Sequence, residues 1–541
     1  MRTSPTRTAA ARTPVSRAAL RGLRALAPPI GFYLLTVALL AGVLGLDLAI
    51  IGAAGNHSQL VPAEVWGISA IVGCVLLYGL YAVRGANHRA EGLRVSRQQQ
   101  PQLWRLVEQT ARSVGVRAPH ALWLTDDDGL AAWQNPRLLG LLPTRHRLSI
   151  GVPLLVGLTE AELTALLAHR LGPAADADTP LPALVRRNRD ALRLVLQRYA
   201  DTAEAGPGPR KWFGGMYAGY ARGCLRWSAP DARRLEFTAD RAAARVAGRD
   251  TTIAALRLAP ALSELRQRYW HEFVLIGWEQ DAFPPTAEVV PAFRAWLRGP
   301  VGQEELAALA GDPPRERIAR YDARPPLAER IRRLEQLPAP ASPSPPASPA
   351  SPSSPSSPAE LLVADPSRTF AEVVAAAPEV PGKRQLPWDD LAAIAGRAEL
   401  DAAAAGLLTS VASVLRRRAP DLPTILDAID EDRWAELADW IPRTGAARTV
   451  PVAVGRSLNL STASQGLRAL VLNALVDRGR ARWTLDPRHG RLLDPDPDAL
   501  DAVLGPALYA ATSSPPDTAP LRQLLADAPG TPPESPPAVE R

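Results

Sequence analysis

The sequence predicts a mostly helical α+β protein behind two N-terminal transmembrane helices, ending in a small, mostly helical C-terminal domain. Three observations carry this reading. Two long apolar runs, 30–54 and 65–83, stand close to the start of the chain. From 98 to 336, helical periodicity alternates with short strand-like pieces. Residues 338–358 are nearly all Pro, Ser and Ala, and a further helical region follows. At 541 residues there is room for more than one domain and a sizeable core.

The segment 1–29 carries Arg2, Arg7, Arg12, Arg17, Arg21 and Arg24 and no acid. The run 30–54 holds one charge, Asp47, and is long enough to cross a hydrocarbon core of about 30 Å. A short polar loop without Arg or Lys separates it from the second run. That run has Trp66 near one end and Tyr78 and Tyr81 near the other, as interface belts do. Arg84, Arg89, Arg94 and Arg97 come next. Positive flanks around a turn without Arg or Lys place both termini and the main domain on the cytoplasmic side of a hairpin spanning 30–84. A cleaved signal peptide fits less well, because the first run is long, lacks a small-x-small site and is followed by a second span. Asp47 lies near the outer end of its helix and is expected to reach the interface.

The main domain is expected over 85–337. Leu103, Leu106, Val107, Ala111 and Val114 give 101–114 a helical period, and 121–125 and 147–150 read as strands. Thr159 with Glu162 forms a capping box at the start of a helix carrying Leu163, Leu166, Leu167 and His169. Further helices are expected over 182–200 and 236–247, the latter ending at Gly248. The linker, 338–359, has too little apolar surface for a core. Beyond it, 360–510 should form the C-terminal domain, with helices over 388–417, 424–440 and 463–476. Residues 480–486 and 491–494 flank Pro487-Arg488-His489-Gly490 like a hairpin, which suggests a winged-helix-like module. The tail 511–541 is rich in Pro and Ala and is expected to be disordered.

Formal net charge is +7, and all but Lys211 and Lys383 of the 62 basic residues are arginine. With 54 prolines and much alanine, this resembles a coding bias. Basic and acidic residues are interspersed, so no nucleic-acid partner is expected. Cys74 and Cys224 offer no metal motif and no disulfide framework. No phosphate-binding loop, dinucleotide fingerprint or nucleophile elbow is present.

The chemistry-bearing stretch is Ala165-Leu166-Leu167-Ala168-His169-Arg170-Leu171-Gly172-Pro173. It has the frame of a His-Glu-x-x-His zinc helix, in which two His one turn apart hold the metal and the Glu activates water. Ser149-Ile150-Gly151-Val152-Pro153-Leu154-Leu155 leads into it. Arg233-Arg234-Leu235-Glu236-Phe237-Thr238-Ala239-Asp240-Arg241 and Ala323-Arg324-Pro325-Pro326-Leu327-Ala328-Glu329-Arg330-Ile331 follow. In these four segments, their order and the two preceding spans, residues 30–336 resemble the HtpX-like membrane zinc metallopeptidases, relatives of the CAAX prenyl protease. The resemblance implies a zincin-like domain at the plasma membrane of a bacterium, with zinc as cofactor. It matches His169 to the first zinc ligand, Glu236 to the third, and Asp240 to a carboxylate that orients a ligand His.

The departures fall on the working parts. Arg170 stands at the general-base position and Pro173 at the second ligand. Leu130 replaces an Asn of the substrate-binding edge strand, and Arg324 a His of the closing segment. Arginine takes no proton from water. Proline after Gly172 ends or kinks the helix where the second ligand should be. Asp176 and Asp178, just beyond, are candidate substitute oxygen ligands. No catalytic residue is therefore expected, and zinc is expected to be absent or weakly held. Without metal, Glu236 and Asp240 need a counter-charge, for which Arg170 is the expected source.

The favoured reading is a membrane-anchored, catalytically degenerate relative that binds a polypeptide or partner protein. The alternatives are a working zinc endopeptidase with altered ligands, or a purely structural membrane protein. Other acidic and histidine positions read as ordinary: His271-Glu272 as packing beside a solvated acid, Asp126-Asp127-Asp128 and Asp494, Asp496 and Asp498 as turn and cap acids, and His489 as an exposed turn residue.

Overall fold

The protein is described from a computed structural model covering residues 14–54, 66, 69–70, 73–74, 92–133, 146–172, 185–186, 188–193, 196, 209–313, 324–338, 357–376, 382–442, 451–486, 488, 490–495 and 497–526. The second apolar run, the 182–200 helix and the linker therefore lie largely or wholly outside the described residues. Pro173, Asp176, Asp178, His489 and Asp496 also lie outside them.

In chain order, the elements up to the motif are α1 (Pro14–Ala54), β1 (Leu93–Val95), α2 (Pro101–Val114), β2 (Ala121–Thr125), β3 (Leu130–Trp133), β4 (Arg147–Gly151), α3 (Val152–Gly157) and α4 (Glu160–Leu171). Then come α5 (Pro209–Trp227), α6 (Ala229–Ala247), α7 (Arg249–Tyr269), a π-helical turn over Trp270–Val274, β5 (Ala282–Phe283), α8 (Thr286–Arg298), α9 (Pro300–Gly311), α10 (Leu327–Glu335) and α11 (Pro366–Ala375). The rest comprises β6 (Arg384–Gln385), α12 (Trp388–Leu415), α13 (Leu422–Asp430), α14 (Trp434–Asp439), α15 (Val452–Asp477), β7 (Arg482–Asp486), β8 (Gly490–Asp494), α16 (Pro497–Thr512) and α17 (Ala519–Ala526). The chain is thus mostly helical with a minority of strand.

Among the described residues, two helices are long and apolar enough to cross a membrane. One is α1 over Leu26–Ile50, which overlaps the first expected span, 30–54, but starts and ends four residues earlier. The other is α12, which carries Arg397, Glu399 and Asp401 and puts Leu407 and Val411 into an internal apolar cluster. Asp47 departs from expectation. It is 4% exposed and accepts a 2.6 Å hydrogen bond from the Ser69 hydroxyl. A partner on the second run thus covers the carboxylate instead of leaving it at the interface.

The chain divides into two compact units, 1–265 with 304–378, and 266–303 with 379–541. The expected boundary at 360 thus falls inside the first unit. The reason lies in the backbone: Ala359 donates to the Leu158 carbonyl and Glu160 to that of Ser357. The Gln100 amide holds Ala364 through both its N–H and its C=O. The segment after the linker returns to the start of α4 and to α2.

The sheet of the first unit has the order β1-β2-β4-β3. β2 and β4 run parallel, with Leu122 beside Leu148 and Leu124 beside Ile150, all fully buried. β3 pairs antiparallel with β4 and forms one edge, with all four residues partly exposed. Beneath it, α4 buries Leu163, Leu166, Leu167 and Leu171, the apolar stripe of an amphipathic helix.

The second unit is built around α12 and α15, with Leu400, Ala404 and Leu407 of α12 and Ala463, Leu467 and Val471 of α15 in one apolar cluster. Gly396 admits the β7–β8 hairpin, since a Cβ there would meet the Trp483 ring at about 2.2 Å. The hairpin forms where expected. The tail does not begin as expected: α16 runs to Thr512, and α17 places Leu521 in the same apolar cluster.

Candidate functional site

Three sequence-distant helices of the first unit converge on one spot. The Thr159 hydroxyl accepts from the Glu162 N–H while Glu162 returns to the Thr159 N–H, so α4 starts at a reciprocal cap. The helix ends at Leu171, as the Gly-Pro pair implies. Gly172 itself retains helical angles, φ −53° and ψ −42°. What requires glycine there is the approach of α6: a Cβ would lie 2.9 Å from that of Ala242. The alanine-lined face of α6, with Ala232, Ala239, Ala242 and Ala243 buried, permits this contact. His169, in the last turn of α4, is thereby set against α6. Glu236 and Asp240, one helical turn apart, project toward it together.

His169 Nδ1 lies 2.9 Å from Asp240 Oδ1, and Nε2 lies 3.5 Å from Glu236 Oε2. From α10, Arg330 donates Nη2 to Asp240 Oδ1 at 2.7 Å and Nε to Oδ2 at 3.0 Å, a two-pronged pair. The same Nη2 stands 3.4 and 3.5 Å from the two ring nitrogens of His169. Arg333, three residues on along α10, lies 3.6 Å over the Phe237 ring and ties α10 to α6. Burial alone would raise the Asp240 carboxyl. The hydrogen bonds from Arg330 and His169 outweigh it and hold Asp240 at about 2. Burial is likewise outweighed at Glu236 by His169, then by the charges of Arg330 and Arg324, which hold it at about 2. Both are carboxylates at neutral pH and accept only. Donation to Asp240 therefore requires the proton on His169 Nδ1.

The counter-charge differs from expectation. Arg330, not Arg170, bridges Asp240. The reason is geometric: Arg330 lies on the buried face of α10 with Ile331 and Leu334, directly opposite α6. The sequence did hold a signal for it. An arginine one turn before Leu334, on an otherwise apolar stripe, needs a buried anion. Arg170 makes no hydrogen bond to either carboxylate, and its Nε is buried without a partner. Burial, then the charges of Arg186 and Arg324, push its guanidinium down to about 10, so it stays charged at neutral pH. Arg186 is fixed beside it, donating Nη1 to the Arg170 carbonyl at 3.1 Å, where the end of α4 leaves its carbonyls open. Arg324 is exposed.

The described residues supply two of the positions that the resemblance matches to zinc ligands. A catalytic site needs three protein ligands and an open position. His169 and Glu236 are brought together, but among the described residues no group of three or more His, Cys, Asp or Glu could hold a metal ion. The Arg330 guanidinium also stands 3.5 Å from His169 Nε2, the nitrogen on the Glu236 side. Like charge at that range opposes a divalent cation. Leu130 opens the edge strand β3, opposite Ile150 of β4, and β3 packs on α4.

Of the remaining candidates, Asp128 accepts from the distant Ser263 hydroxyl on α7, and the others are local. Asp127 accepts from the Thr125 hydroxyl and the Gly129 N–H, as a turn acid does. Asp494 pairs with Arg482 at 2.9 Å. His271 is exposed in the π-helical turn, beside Glu272, which faces Arg268 at 3.6 Å. Cys74 and Cys224 are both free. No family model, curated protein or solved structure matches the chain.

Proposed function

We propose that the protein is a membrane-anchored, catalytically silent relative of the HtpX-like zinc metalloendopeptidases that acts by holding a polypeptide or partner protein. One observation carries the reading. His169, Glu236 and Asp240, the residues matched to two ligands and their orienting carboxylate, converge from separate helices, with a guanidinium lodged against them. Arg170 beside them cannot act as a general base. The edge position of β3 among the described strands supports the binding half of the proposal, since an extended chain can add to a sheet edge through its backbone. The apolar length of α1 supports the anchor, and the Arg-rich flanks support cytoplasmic placement of the domain.

The test is metal analysis of the purified full chain, with casein hydrolysis followed with and without chelator. The expected result is zinc well below one per chain and no chelator-sensitive cleavage. Stoichiometric zinc with chelator-sensitive cleavage would establish the rival, a working endopeptidase with altered ligands.

A further inference from the structure

We propose that the Arg170 side of this site is a receptor for a carboxylate carried on a polypeptide. The inference rests on the polypeptide-binding reading above and names the chemistry that the bound chain must bring.

The two carboxylates of the site are already engaged. Asp240 is held by Arg330 and His169, and Glu236 faces His169. Arg170, one residue along α4 from His169, takes neither. Its Nε is buried and has no hydrogen-bond partner. Its close neighbour is another cation, Arg186, fixed by its bond to the Arg170 carbonyl. The exposed Arg324 adds a third positive charge to the field at Arg170, and Asp190 and Glu236 counter it only partly. A guanidinium nitrogen withdrawn from water without an acceptor carries a desolvation cost, which a bound anion would remove.

The geometry selects the anion. The planar fork of arginine matches the two oxygens of a carboxylate. The strand β3, at the edge of the described sheet and partly exposed along all four residues, packs on the same helix α4. A polypeptide joined to that edge reaches the helix with a side-chain or terminal carboxylate of its own. Backbone pairing along β3 would give affinity, and the arginine contact would select acidic segments.

The experiment uses full-length protein in detergent micelles and two short fluorescent peptides of one sequence, with Glu or Gln at its acidic positions. Binding is read by fluorescence anisotropy at low salt. The Glu peptide is expected to bind about tenfold more tightly. In Arg170→Gln the two affinities should come within about twofold of each other, and Arg170→Lys, which keeps the charge but loses the fork, should fall between. Arg170→Gln should also melt no lower than the parent, because it removes a guanidinium whose buried Nε has no hydrogen-bond partner. Equal binding of both peptides by the parent overturns the carboxylate receptor while leaving polypeptide binding standing. Binding of neither peptide overturns both. A markedly lower melting temperature for Arg170→Gln assigns the guanidinium a structural role and overturns the inference. Displacement of the Glu peptide by free acetate at the peptide's own concentration overturns the polypeptide part.

Discussion

Arg330 in the first unit and Arg468 in the second each hold an aspartate, Asp240 at 2.7 Å and Asp501 at 2.8 Å. The distances are nearly the same and the environments are not. The side chains of the first pair are 9% and 3% exposed, those of the second 38% and 51%. In water the second pair gains little, since solvent and salt screen it and two long side chains must be ordered. Out of water the first pair is strongly coupled, and each partner alone would be a stranded charge. The second unit gets its cohesion elsewhere, from the leucine and alanine packing between α12 and α15. Distance between charges is therefore a poor guide to what holds this chain together, whereas burial is a good one.

The strongest way to break the comparison is Asp240→Ala. It leaves Arg330 buried and unpaired, and His169 without its short contact. We expect a loss of about 3–5 kcal/mol in unfolding free energy, measured by denaturant titration. The double variant Asp240→Leu with Arg330→Met should recover most of that, because both charges leave together. A single-variant loss below about 1 kcal/mol would place the first pair in the same class as the second.

Acid is the next test. Asp240 and Glu236 have ordinary values of 3.8 and 4.5 and are both held at about 2 in the folded protein. The unfolded chain therefore takes up protons first as pH falls. The stability that these groups contribute is fully present above about 4.5 and is lost as pH drops toward about 2. Asp240→Asn should flatten that part of the profile, followed by melting temperature against pH. An unchanged slope between parent and variant would count against the buried pair.

Much of the first unit was legible in the sequence because its signals are local. The capping box at Thr159, the strands around Leu122 and Leu148, the end of α4 before Pro173 and the cap at Gly248 follow from spacing and residue type. The convergence of His169, Glu236 and Asp240 was legible only through resemblance. Arg330 was missed because a long-range ion pair leaves no periodic trace, and only its place on an apolar stripe betrays it. β3 was legible only through the resemblance, which placed Leu130 on an edge strand, because Leu130-Ala131-Ala132-Trp133 lacks alternation; pairing with β4 defines it. The return of Ser357–Ala359 to α4 was likewise invisible, since the Pro/Ser composition before it marks a linker, not where its far end docks.

The smallest expected effect closes the comparison from the other side. Arg468→Met removes the charge of a well-formed pair and keeps most of the aliphatic stem. The expected loss is within about 0.5 kcal/mol, and a double-mutant cycle with Asp501→Asn should give a coupling no larger than about 1 kcal/mol. Raising the salt should shrink the coupling further, because both groups face solvent. The same cycle on Asp240 and Arg330 should be several times larger and nearly indifferent to salt. If the two cycles agree in size, or if salt weakens both alike, then water reaches Asp240 as it reaches Asp501, and the enclosed charge knot at His169 does not exist in solution.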